Sequence, residues 1–291
     1  MRRSSRRLER LRRAALAAGL ACLGLIPGGG LSRADSPAAA RDAVPASHEV
    51  IELSSAFPGF RAAFVMRDVA AGRTVRHDPA LAATRLSPCS TFKIPNSLIG
   101  LETGVIPDPS FVLPWDGKRR EVEAWNRDHD LRSAIRDSVV WYYQELARRV
   151  GPRRMQRFVH AFGYGNQDTS GGVDRFWLGS TLRISADEQV EFLARLHRGE
   201  LPGVSARSLA IVKEILVQDP PGPGLVYRGK TGSCSDPGAP PHGWWVGSVE
   251  RDSRLVVFAA LIEGDGASGR VCRPLAEKAL VRLGVLPDVA R

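Results

Sequence analysis

Apolar positions recur along this chain in two rhythms. Residues 60–66 form a compact apolar run. The turn-forming Ala70-Ala71-Gly72-Arg73 then predicts a return as a second strand near 74–77. Between Ser90 and Arg198 the apolar residues repeat every three to four positions, which predicts helices over 96–101, 131–150, 153–162 and 187–197. The run Asp219-Pro220-Pro221-Gly222-Pro223-Gly224 breaks this rhythm. Strand patterns follow at 225–234, 243–250 and 255–263, and a helix over 273–283 closes the chain. Arg251-Asp252-Ser253-Arg254 is short enough to make the last two strands an antiparallel hairpin. Strands at both ends with helices between them predict an α+β fold. One antiparallel sheet, from about 56–80 and 224–291, packs against helices, with a helical lobe over about 90–200. The cleft between lobe and sheet is the expected site.

The N-terminus follows neither rhythm. Eight arginines against the single Glu9 fill the first 34 residues around the apolar run 14–26, and Ser32-Arg33-Ala34 offers a small-residue cleavage site. That run falls short of the ~20 residues needed to span a bilayer. Residues 1–34 therefore read as an export signal, 35–55 as a loose Ala- and Pro-rich lead-in, and 56–291 as the folded domain. No membrane span is expected once the signal is removed.

The formal charge of +10 suggests nucleic acid at first sight. Most of that excess lies in the first 34 residues, however, and the later arginines are interspersed with acids rather than aligned along a phosphate track. Nucleic-acid binding is not expected. A 43% hydrophobic, 25% charged chain is ordinary globular material, neither disordered nor a small disulfide scaffold. The six histidines show no chelating spacing, so no metal is expected. Without Cys22 three cysteines remain, which leaves at least one unpaired within the chain. Cys234 with Cys272 is the pair considered, and Cys89 reads as a small buried filler.

Ser90-Thr91-Phe92-Lys93 is the centre of the candidate chemistry. Pro95 is tolerated only near a helix start, so Ser90 belongs at or just before an N-terminus. Ser and Lys three apart then share a face. A neutral lysine can serve as the base a serine nucleophile needs, and the Ser90 N–H can face a developing oxyanion. Alone, this spacing is common in long chains. Two further segments change its weight: Ser138-Val139-Val140 heading a helix, and Lys230-Thr231-Gly232 opening a strand. In that order the three resemble the motif set of the penicillin-recognising serine enzymes.

The resemblance is specific to the class D (oxacillinase-type) serine β-lactamases. It rests on Ser90-Thr91-Phe92-Lys93-Ile94-Pro95-Asn96-Ser97, Ser138-Val139-Val140-Trp141-Tyr142-Tyr143, Tyr164-Gly165-Asn166, Phe176-Trp177-Leu178 and Trp244-Trp245-Val246-Gly247, and it extends over about 85–286. It implies a β-lactam as small-molecule substrate and a Ser90 acyl-enzyme. It also implies a carbamylated Lys93 (N6-carboxylysine) as general base, formed from carbon dioxide or bicarbonate with no other cofactor. Phe92, Val140, Trp177 and Leu178, if they wall in Lys93, favour its neutral amine. The Trp177 indole N–H suits a carbamate oxygen. Val140 and Leu178 match the pair that gates the hydrolytic water. By the same resemblance Ser138 relays a proton to the leaving nitrogen, with Lys230 tuning it, and the Ser233 N–H completes the oxyanion hole. Thr231, Gly232 and Arg273 contact substrate, with Arg270 as a rival for its carboxylate. Tyr164-Gly165-Asn166 reads as a structural turn, and Asp128-His129-Asp130 as a solvated loop. A periplasmic or secreted location is expected. The alternatives are a penicillin sensor or a D-Ala-D-Ala peptidase that acylates but deacylates poorly.

Overall fold

The computed structural model describes residues 48–219, 222 and 224–288. The expected signal, Cys22, residues 35–47 of the lead-in and Pro220, Pro221 and Pro223 lie outside the described residues.

Six strands form one sheet: β1 (His48–Val50), β2 (Arg61–Asp68), β3 (Thr74–His77), β4 (Leu225–Cys234), β5 (His242–Arg251) and β6 (Arg254–Glu263). Their order is β1-β3-β2-β6-β5-β4, so the two ends of the described chain meet where β2 pairs with β6. The hairpin closes at Arg251↔Arg254, as the short connection predicts. Pairing is antiparallel except for β1, which lies parallel to β3 in what the sequence suggested was lead-in. Three exposed residues with no alternating pattern gave no strand signal there.

Side chains alternate across the sheet and build two cores. Val65, Val257, Ala259 and Leu261 face the helical lobe. Phe64, Val256, Phe258 and Ile262 face the other way, against α8 (Gly269–Arg282), which buries Cys272, Ala276 and Ala279. Small residues on that helix let its backbone approach the sheet closely. The helix begins four residues before the predicted start because the Ser268 hydroxyl accepts the Val271 N–H.

The remaining helices are α1 (Pro79–Ala82), α2 (Lys93–Glu102), α3 (Leu131–Arg136), α4 (Val140–Val150), α5 (Pro152–Ala161), α6 (Ala186–Arg198) and α7 (Ala206–Ile215). The helix predicted over 131–150 is broken between α3 and α4, where Ser138 takes φ +54°. An L-residue in that region cannot continue a right-handed helix. α7, missed in the sequence, extends the lobe past 200; its signals are the Ser205 cap and buried Leu209, Val212 and Ile215.

Two expectations fail. Asp128-His129-Asp130 is not a solvated loop. His129 is 1% exposed, its ring bonded to Ala124 O and Ser133 Oγ, while Asp130 caps α3. The cysteine pairing also differs: the disulfide joins Cys89 to Cys234, and Cys272 is the free thiol. Cys234 and Cys272 belong to opposite faces of the sheet and to different cores, so they cannot meet.

Candidate active site

A 3-10 turn, Cys89–Phe92, carries Ser90 into the first residue of α2, Lys93. Three residues of tight turn bring the two side chains onto one side, and Lys93 Nζ donates to Ser90 Oγ across 2.7 Å. Ser90 is half-buried, whereas Lys93 is 1% exposed. Its Nζ sits 5.5 Å from the centre of the Tyr143 ring. Phe92 stacks on Trp177, with ring centres 5.4 Å apart, and packs edge-on against Phe176. Burial, reinforced by the nearby Lys230 charge, holds the Lys93 pKa well below the ordinary lysine value. This favours the neutral amine over the charged one.

A second lysine faces the first from the sheet. Along β4 the side chains of Lys230, Gly232 and Cys234 share the face toward the nucleophile turn. Lys230 Nζ donates to Ser138 Oγ at 3.0 Å, and to Thr231 O and Oγ1 at 3.0 and 3.3 Å. Burial lowers its pKa to about 7. Ser138 is the left-handed residue that breaks the α3–α4 run; the turn aims its hydroxyl at Lys230 rather than along a helix face. Gly232 is needed for contact: a Cβ there would stand 2.9 Å from Pro88 O and 3.1 Å from the Thr91 methyl.

A cavity of about 300 Å³ continues from this pair. Lys230, Thr231, Gln218, Trp245, Arg132 and Arg273 are among its walls. Arg273 packs over the Trp245 ring at 4.8 Å and bonds Glu277 and Gln218, each at 2.9 Å, which leaves further guanidinium N–H groups to a ligand. Arg270 is exposed on the first turn of α8 and is not part of this wall. The cavity can receive an anion, since Arg132, Arg136, Lys230 and Arg273 all line it.

Trp177 is buried, while Val140, first residue of α4, and Leu178 are half-buried. Ser233 is exposed at the end of β4, its hydroxyl accepting the Gly269 N–H at 2.9 Å. Tyr164-Gly165-Asn166 is a structural turn: Gly165 has φ +57°, a Cβ there would lie 1.9 Å from Arg183 O, and Asn166 bonds to the Thr181 and Arg183 backbone.

Sequence reasoning missed Ser87. Its carbonyl accepts from Trp244 Nε1 at 2.9 Å and lies 3.0 Å from His242 Nε2. Its hydroxyl donates to Trp177 O and accepts from Gly179 N. One small residue thus ties the Trp177 loop to β5 beside the nucleophile, and nothing in a lone serine signals it. The Cys89–Cys234 pair was readable, since each cysteine adjoins a residue assigned to the same oxyanion hole.

A serine hydrogen-bonded to a buried lysine amine, with a second lysine–serine pair and a cation-lined cavity beside it, is the arrangement that serine acyl transfer needs. Residues 75–280 match the family described as penicillin binding protein transpeptidase domain. Over 195 residues the chain is 46% identical to β-lactamase OXA-48 of Klebsiella pneumoniae, spanning 67% of this chain and 72% of that one. A class D β-lactamase from Bacillus subtilis superposes with TM-score 0.76 at 36% identity, covering 83% and 98% of the two chains. The C-terminal domain of the Bacillus licheniformis BlaR penicillin receptor superposes with TM-score 0.79 at 29% identity, covering 82% and 98%. The chain belongs to the class D β-lactamases, serine hydrolases that open the β-lactam ring.

Proposed function

We propose that the protein is exported and hydrolyses β-lactams through a Ser90 acyl-enzyme, with Lys93 acting as its carbamate. The supporting observation is the buried Lys93 amine 2.7 Å from Ser90 Oγ. Apolar burial favours the neutral amine that can add carbon dioxide, and the resulting carbamate anion would need donors such as the Trp177 indole N–H. The carbamate supplies a general base within reach of the serine.

The Lys93 side chain takes the Ser90 Oγ proton as Oγ attacks the lactam carbonyl carbon. The Ser90 and Ser233 N–H groups hold the developing oxyanion. As the ring C–N bond breaks, Ser138 passes a proton to the departing nitrogen, and Lys230 tunes that hydroxyl by charge. Thr231, Gly232 and Arg273 hold the substrate, the arginine taking its carboxylate. Water then reaches the ester between Val140 and Leu178, adds to the carbonyl and releases Ser90 Oγ with its proton restored. Export is supported by the Arg-rich start and by a disulfide beside the site, which suits an oxidising compartment. Cell fractionation tests it, a cytoplasmic unprocessed protein being the contrary result.

The chemistry is tested by turnover of a chromogenic cephalosporin, with and without bicarbonate, in the wild type and in Lys93→Ala. Many turnovers, stimulated by bicarbonate and reduced at least ~10²-fold in the variant, are expected for loss of a general base. A single equivalent of colour followed by a stable adduct would favour the second reading, a penicillin sensor. The similarity to the receptor domain is what supports that reading. A D-Ala-D-Ala peptidase would instead cleave acyl-D-Ala-D-Ala peptides.

A further inference from the structure

We propose that the Cys89–Cys234 disulfide is the positioning element of the oxyanion hole, a brace that sets the distance between its two amide donors. The inference rests on the hydrolase reading above, in which the donors are the Ser90 and Ser233 N–H groups. Cys89 is the residue before Ser90, and Cys234 is the residue after Ser233. The crosslink therefore joins the immediate neighbours of both donors, with Cα atoms 5.8 Å apart, although 145 residues of chain separate them.

Three features make a brace consequential at this point. Cys89 has φ +44°, a left-handed conformation that a non-glycine residue holds only when its surroundings compel it. The Ser90 N–H follows directly from that backbone, so relaxation at Cys89 re-aims the donor. Cys234 is the last residue of β4, whose outer edge is bonded to residues 216–218 only around Tyr227 to Gly229, so the Ser233 amide lies at the free end of that edge. Beyond it, Asp236 is buried and ion-paired to Arg183, which ties the following segment to the loop after Trp177 rather than to the nucleophile turn. Packing at Gly232 against Pro88 O and the bonds of the Ser87 carbonyl to Trp244 and His242 hold turn and sheet together, but none of these contacts joins the immediate neighbours of both donors. The disulfide is the covalent link that does. Displacing a donor by about 1 Å costs roughly 10²-fold in rate at a preorganised site.

The test uses the purified mature chain at saturating bicarbonate, so that Lys93 is not limiting. The oxidised wild type is compared with the same protein reduced by a phosphine under native conditions, and with Cys234→Ser and Cys89→Ala. Rates are expressed per active site titrated by a penicillin burst, which removes misfolded molecules from the comparison. We expect kcat to fall about ten- to hundredfold with KM nearly unchanged, because donors to the oxyanion act in the transition state. A boronic acid, whose tetrahedral oxygen occupies the hole, should lose affinity by a similar factor. Cys272→Ser, in the other core, should change neither. Reduced or variant enzyme that keeps wild-type kcat per titrated site and wild-type boronate affinity would overturn the proposal. An oxidised wild type that only bursts would defeat the hydrolase reading instead, and the boronate comparison would still judge the brace.

Discussion

Lys93 and Lys230 are both buried, with no carboxylate among their hydrogen-bond partners in the described residues. Burial alone lowers Lys230 to about 7, and Lys93 falls well below the ordinary value of 10.5. Unfolding returns each to the ordinary value, so between about pH 7 and 10.5 the unfolded chain binds more protons than the folded one. Stability contributed by these groups therefore rises with pH across that window, and acidification through the depressed pKa values loads the core with charge. Replacing Lys93 by Met should raise stability by about 1–3 kcal/mol, since an apolar side chain of similar volume needs no desolvation. Thermal melts at pH 7 should show this as a gain of roughly 3–8 °C, accompanied by loss of turnover. A lower melting temperature in a folded Lys93→Met protein would contradict the account. The Ser90–Lys93 contact was legible because a three-residue spacing on one turn puts both side chains on one side, and Lys230 was singled out by the Lys-Thr-Gly motif. Ser87 was not, because its role consists of backbone contacts made by distant elements.

At the scale of elements, periodicity located β2 to β6 and most helices within a few residues. It failed where a single backbone angle outweighs pattern. The apolar rhythm of 131–150 runs on through Ser138, and only its left-handed φ ends α3 and starts α4. The same holds for the Tyr164 turn, where Gly165 meets the Arg183 carbonyl with no room for a side chain. Gly165→Ala should cost about 2–4 kcal/mol, combining an unfavourable φ with a backbone clash. The loop from Phe176 to Arg183 should loosen with it, and turnover should drop even at temperatures where the variant is folded. Chemical denaturation together with initial rates would decide this; an unchanged midpoint would show that the loop yields at no cost. The opposite-face rule also explains the cysteines. β4 presents Cys234 to the nucleophile turn, while α8 presents Cys272 to the far core, where burial pushes its thiol pKa upward.

The whole molecule places the groups of the candidate site on a seam. Ser90 and Lys93 come from the lobe, Lys230 and Ser233 from the sheet, and Arg273 from the helix behind the sheet. An adduct on Ser90 that also fills the Arg273 cavity should therefore act as a staple across the seam. With a slowly released boronate, we expect a higher melting temperature and slower amide exchange in β4 and in α2 and α4 together. Protection restricted to α2 would mean that the ligand leaves the sheet side untouched.

The strand order described above has a further consequence, for solubility. Among the described residues the six-stranded sheet has two margins, and a bare margin is a template on which another chain can stack. At one margin β1 is only three residues long and too short to recruit a partner. At the other, the ten-residue β4 would be the natural place for such growth, but residues 216–218 bond along its middle and the turn bearing Ser90 lies against its Gly232 end. The catalytic cleft thus doubles as a guard on the sheet. Damage that pulls the turn from β4 would expose an adhesive margin as well as abolish catalysis, and inactivated molecules would be the first to precipitate.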